Sequence, residues 1–162
     1  MNDRNFTYFE KGMVIVMNYS LREIGWLDKE FIYHVKKESN FMYIDKIWGW
    51  DEDYQIQDFN TDFKLNEFKI IVSENKDIGF LQLEEFNNNL NISEIHIVPE
   101  YQGQAIGSQI INDILHDEKN QLKTISVGCF ILNQRAKNLY ERLGFRIINE
   151  TETHYIMEYD RQ

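Results

Sequence analysis

Residues 98–115 read VPEYQGQAIGSQIINDIL, and their order decides how the rest of the chain is read. Pro99, the only proline, closes the apolar run LNISEIHIV at 90–98, which predicts a strand. Gly103 and Gly107 follow, and a helical pattern then runs to about residue 119. A glycine-bearing turn between strand and helix presents the unpaired N–H groups of the helix's first turn. Those donors and the helix dipole suit a phosphate or pyrophosphate, and small residues let the anion reach the main chain. Ser108 can add a hydroxyl donor. The stretch is not a P-loop, because Gly107 comes four residues after Gly103 and Ser108-Gln109 replaces the Lys-Ser/Thr pair. Nor does it carry the G-x-G-x-x-G spacing of a dinucleotide fingerprint.

Working outward, NYSLREI at 18–24 reads as a first strand. LDKEFIYHVKKES at 27–39 has its apolar residues at helical spacing, and FMYIDKIWGWDEDY at 41–54 reads as an aromatic connection. Asp51 is placed to cap a second helix running from Tyr54 through Phe63. EFKIIVSENKDIGFLQLEEF, 67–86, is strand, polar turn and strand, and the asparagines at 87–89 turn the chain into 90–98. Downstream, KTISVGCFI at 123–131 is a strand. NQRAKNLYERLG at 133–144 is a helix with Asn133 at its start and Gly144 as its C′ residue. FRIINE and THYIMEY make a last strand pair. The order β-α-α-β-β-β-α-β-α-β-β implies an α/β (α+β) fold with a mixed sheet and helices on its faces.

Tyr140 lies seven residues after Asn133, about two helical turns, so an amide and a phenol share a face beside a strand end. Together the two segments resemble the GCN5-related N-acetyltransferase (GNAT) superfamily. Gln102-Gly103-Gln104-Ala105-Ile106-Gly107 sits on its [QR]-x-x-G-x-[GA] loop, with Ala105 where the pattern has its first glycine. Asn133, Ala136, Leu139, Tyr140, Gly144 and Phe145 fill its N-x-x-A-x-x-L-Y-x-x-x-G-F helix. The resemblance spans about 18–160, with its specific part at about 90–146.

The resemblance implies a mostly antiparallel sheet of six to seven strands and a splayed parallel pair, 90–98 and 123–130, that binds acetyl-CoA. Backbone groups of Ile97 and Val98 would pair with the pantetheine arm. The N–H groups of Gln102, Gly103, Gln104, Ala105, Ile106, Gly107 and Ser108 would hold the pyrophosphate, and Asn133 would bond the arm. Acetyl transfer to a primary amine then needs a base, an oxyanion donor and an acid. Tyr140 is the expected acid, the N–H near Val98 the expected oxyanion donor, and Glu94 the first choice of base. His96 on the same strand face and Glu84 and Glu85 on the preceding strand are other options for the base. Cys129 reads as a buried bystander. Trp48, Trp50 and Asp51 are expected to line the acceptor site, since aromatic faces attract cations and carboxylates pair with amines. The alternative is a non-catalytic acyl-CoA-binding module. Ala105 is expected at a helical φ, where its methyl group costs almost nothing.

The 162 residues suit one domain, expected at 18–160, with 1–17 as an extension and Met13 or Met17 as alternative starts. A formal charge of −10 argues against nucleic acid as partner and fits a cationic acceptor, either a small molecule or a peptide or protein amine. One cysteine allows no internal disulfide, and no metal site is expected. No apolar run approaches the roughly 20 residues of a membrane span. MVIVM at 13–17 is too short for a secretory h-region. The expected setting is the cytoplasm, with no membrane partner and a possible homodimer.

Overall fold

The computed structural model describes residues 18–121 and 123–160, so the extension and the alternative starts lie outside the described residues. Its elements follow the expected order. They are β1 (Ser20–Glu23), α1 (Asp28–Trp48), α2 (Glu52–Asp62), β2 (Phe68–Ser73), β3 (Lys76–Phe86), β4 (Asn89–Ile97), α3 (Ile106–His116), β5 (Thr124–Phe130), α4 (Gln134–Arg142), β6 (Phe145–Glu150) and β7 (His154–Tyr159). One sheet joins all strands in the order β1-β2-β3-β4-β5-β7-β6. Every pairing is antiparallel except β4 with β5.

Alternation along the strands gives the sheet two apolar faces. On one, Ile32 and Val35 of α1 and Phe59 of α2 pack on Phe68, Ile70 and Phe80. On the other, Ile106, Ile110 and Ile111 of α3 and Tyr140 of α4 pack on Leu90, Ile92, Ile125 and Val127. Helices therefore cover both faces. Arg22 clamps the edge strand β1, bonding both Asp28 at the start of α1 and Asp77 on β3.

α1 is longer than its sequence pattern predicts. It continues through 41–48, so the aromatic connection shrinks to Gly49, Trp50 and Asp51. No helix breaker stands between Ser39 and Gly49, and Ile44 carries the buried face onward. Gly49, at φ 79°, is the residue that turns the chain away. α3 ends earlier than expected, at His116, with a separate 3-10 turn at Glu118–Asn120.

Two local irregularities in the strands set the geometry of the site. Gln82 pairs with Glu94 while Leu83 pairs with Ile92, which leaves Ser93 as an extra residue on β4. This bulge reverses the alternation. Leu90 and Ile92 face α3 and α4 before it, and Ile95 and Ile97 face them after it. Glu94 and His96 are thereby turned to the α1–α2 face. The second irregularity concerns Gly79, opposite Ile97. A Cβ on Gly79 would lie 2.0 Å from the His96 carbonyl oxygen, so the β3–β4 approach there requires glycine.

Candidate active site

β4 and β5 pair only from Asn89–Ile92 against Thr124–Val127. Beyond the bulge the two strands part, and β5 continues to Phe130 paired with β7 alone. A wedge-shaped gap opens between parallel strands, as the family resemblance implies. Val98 donates its N–H to Ile78 O (2.8 Å) and accepts from Tyr101 N–H (3.0 Å). Successive residues of a strand direct their main-chain groups to opposite sides. The groups that face the gap are therefore those of Ile97 and Ile95. This corrects the expectation for Val98, whose N–H is not free to serve as an oxyanion donor. Ile95 was missed from the sequence, because choosing between odd and even positions needs the β3 register.

The loop after β4 starts with a 3-10 turn, Pro99–Tyr101, and there Gln102 N–H bonds to Pro99 O (3.1 Å). From Gly103 to Ser108 the main-chain N–H groups find no acceptor among the described residues. Gly103 and Ala105 both adopt the left-handed region, at φ 76° and 62°. Left-handed residues alternating with their neighbours curl successive N–H groups toward one point, a concavity that suits an anion. The helical φ expected for Ala105 is thus corrected. The position is left-handed, and for this reason glycine is the pattern's residue there. Gln102 contributes its side chain rather than its N–H. Its Nε2 donates to Ile97 O (2.7 Å), and its Oε1 accepts from Arg135 Nη1 (3.0 Å).

Asn133 is the N-cap of α4. Its Oδ1 accepts from Ala136 N–H (3.0 Å), which leaves the amide Nδ2 for other use. Tyr140, two turns on, is 6% exposed, packs against Phe145, and makes no hydrogen bond among the described residues. Burial, with a smaller contribution from Cys129, pushes the Tyr140 phenol well above its ordinary range, so it holds its proton at neutral pH. Burial likewise pushes the Cys129 thiol up to about 11, which keeps it an unreactive thiol.

On the opposite face Glu94 bonds Lys36 of α1 and His96 Nε2, the latter at 2.8 Å. Burial works to raise the Glu94 carboxyl. The hydrogen bond from His96 and the charge of Lys36 outweigh it and hold the group below the usual carboxylate range. The other candidate bases sit elsewhere. Glu84 bonds Ser93 and Asn91, and Glu85 pairs with Lys123 (2.8 Å). Both lie near the hairpin end of β4, where the parallel pairing is still closed.

The residues expected to line an acceptor site fall into two groups. Trp48, 61% exposed, meets Phe130 at the open end of β5, where Tyr43 and His154 also pack. Trp50 instead turns onto Phe41 and donates Nε1–H to Glu52 (2.7 Å). Glu52 also accepts from Lys37 (2.6 Å) and Tyr33 (3.0 Å), so this glutamate organises the α1–α2 turn. Asp51 accepts from Tyr54 N–H (3.0 Å) and is the N-cap of α2. Among the described residues no cluster of ligands could hold a metal ion, and no helix is long and apolar enough to cross a membrane.

Comparison with known proteins bears on this arrangement. Residues 65–147, half of the chain, match the acetyltransferase (GNAT) domain. A thialysine N-epsilon-acetyltransferase from Bos taurus is 32% identical over 65 residues, 40% of this chain. That match spans only 38% of the relative's length. Among solved structures, a PaiA N-acetyltransferase from Thermoplasma acidophilum in complex with coenzyme A superposes with a TM-score of 0.71 at 20% identity. It covers 90% of this chain and 100% of that one. A spermidine N-acetyltransferase chimera from Vibrio cholerae gives 0.62 at 22% identity, covering 87% of this chain and 94% of the other. At these identities the two structures speak for the fold.

Proposed function

From the premise that the chain belongs to the GNAT acetyltransferase domain family, we propose that it transfers an acetyl group from acetyl-CoA to a primary amine by direct attack. The observation that carries this reading is the junction of the opened β4–β5 pair with the unpaired N–H groups from Gly103 to Ser108. Main-chain donors curled around one point suit a pyrophosphate. Ile95 and Ile97 extend the free edge of β4 beside them, ready to pair with an extended amide-bearing arm as a further strand would. Asn133 Nδ2 is the side-chain donor to that arm.

The roles of the residues follow from their faces. Tyr140 lies on the α3–α4 face, and its retained proton suits protonation of the leaving thiolate. Glu94 and His96, on the α1–α2 face of β4, form the bonded pair that receives the proton the ammonium must lose before it attacks. An N–H of Ile95 or Ile97 takes the oxyanion role expected of Val98. The acceptor enters past Trp48, whose exposed face suits a cation. A small amine is the leading acceptor class, because the chain is strongly acidic and the curated relative named above is a thialysine acetyltransferase.

Thiol release from acetyl-CoA tests the proposal, with thialysine, spermidine and a lysine peptide offered in turn. Amine-dependent release is expected with at least one of them. Tight acetyl-CoA binding without release for any amine would instead identify a non-catalytic binding module.

A further inference from the structure

Lys36, Glu94 and His96 form a chain of contacts from α1 to β4, and nothing in the loop or helix motifs accounts for Lys36. Glu94 accepts from both neighbours, and the three side chains are only 26%, 16% and 17% exposed. A carboxylate can only accept, so the His96 nitrogen facing it, Nε2, carries a proton, and in the neutral ring it is Nδ1 that has the lone pair. The ring also packs against Phe80 (5.2 Å), which fixes its plane.

We infer that His96 Nδ1 is the atom that takes the acceptor's proton, and that Glu94 and Lys36 are positioning residues acting through it. The inference rests on the acetyl-transfer reading above and divides the labour within its base. In the step, the ammonium N–H bond breaks and its proton moves to Nδ1. The freed lone pair attacks the acetyl carbonyl, and the Nε2–H to Glu94 bond becomes one between imidazolium and carboxylate. The C–S bond then breaks, the thiolate takes the Tyr140 proton, the second proton of the attacking nitrogen restores the Tyr140 phenol, and His96 releases its proton to solvent.

Glu94 is unsuited to take the proton itself. Lys36 already neutralises it, and a carboxyl held below its usual range is a poor base for an ammonium. Lys36 has a second effect, since its charge opposes an imidazolium while Glu94 favours one. On β3, Phe80 stands opposite His96, and Gln82 stands opposite Glu94 and bonds Glu67. Lys36 also lines a cavity of about 30 Å³ together with Asp58 and Asp62 of α2.

Two measurements on the full chain test the division. The first is an NMR titration of the His96 ring, assigned by its loss in His96→Gln. The midpoint is expected to fall in Glu94→Gln and to rise in Lys36→Met. Equal or absent shifts would overturn the coupling. The second is the pH dependence of kcat/KM with acetyl-CoA and whichever amine of the panel the wild type acetylates. His96→Gln should lose the acid limb and about a hundredfold in rate at pH 7, with acetyl-CoA Kd within twofold. Glu94→Gln should keep the limb, moved to lower pH, and lose about tenfold. Lys36→Met should move it to higher pH. Loss of the limb in Glu94→Gln with its retention in His96→Gln would make Glu94 the base and overturn the inference. A wild type that acetylates none of the amines would instead sink the transfer reading itself, and the base with it.

Discussion

The two faces of the sheet are built in different ways. On the α3–α4 face, the proposed working groups are main-chain N–H groups of one loop and two side chains of one short helix and its cap. Asn133 and Tyr140 are seven residues apart, and α4 alone aligns them. On the α1–α2 face, the proposed working groups are side chains brought together from far along the chain. Lys36 meets Glu94 across 58 positions and Tyr33 meets Glu52 across 19. The difference teaches that a donor site made of backbone leaves a spacing signature in sequence, whereas an acceptor side made of long-range pairs leaves none.

The largest expected effect breaks the donor face at its chemistry. Tyr140→Phe should lower kcat by about a hundredfold while acetyl-CoA Kd stays within twofold. An unchanged kcat would remove Tyr140 from the reaction. The next effect strikes the strand that both faces share. Gly79→Ala forces a methyl group into the His96 carbonyl, and it should cost about 1–3 kcal/mol in urea unfolding. Gly107→Ala is the control, because a Cβ there meets only Ile97 Cδ1 at an ordinary 3.6 Å. Equal costs for the two would show that β4 can yield at Gly79.

On the acceptor face the two tryptophans should separate. Trp50→Ala removes the ring held by Glu52 and Phe41 and should lower stability by about 1–2 kcal/mol. Trp48→Ala leaves packing nearly intact and should raise acceptor KM several-fold. If Trp50→Ala alone changes acceptor KM, the assignment of the two is reversed. The smallest effect lies in the loop. Ala105→Gly relieves a left-handed alanine and should raise stability by about 1 kcal/mol. A loss of stability in the same urea assay would show that the methyl group contributes more than its strain costs.

Much of this was legible from local signals. The element order, the C′ glycine at Gly144 and the caps at Asp51 and Asn133 all depend on residues within a turn or two of each other. Local signals fail where a decision belongs to a partner. The sequence pattern ends α1 too early because a run of aromatics reads as a connection until Ile44 finds the core. The φ of Ala105 is not local either, since it follows from how the loop leaves Gln102, whose side chain is tied to Ile97 O and Arg135.

By itself, then, the sequence determined the strand and helix order, the glycine-bearing loop and the amide–phenol pair on α4, because each is written within one segment. Only the tertiary structure decided which edge of β4 faces the gap, and that Glu94 is bound between Lys36 and His96. It also parted Trp48 from Trp50. The physical reason is that register and bulge are properties of two strands at once. One extra residue at Ser93, invisible in a one-dimensional alternation, turns the side chains beyond it to the other face.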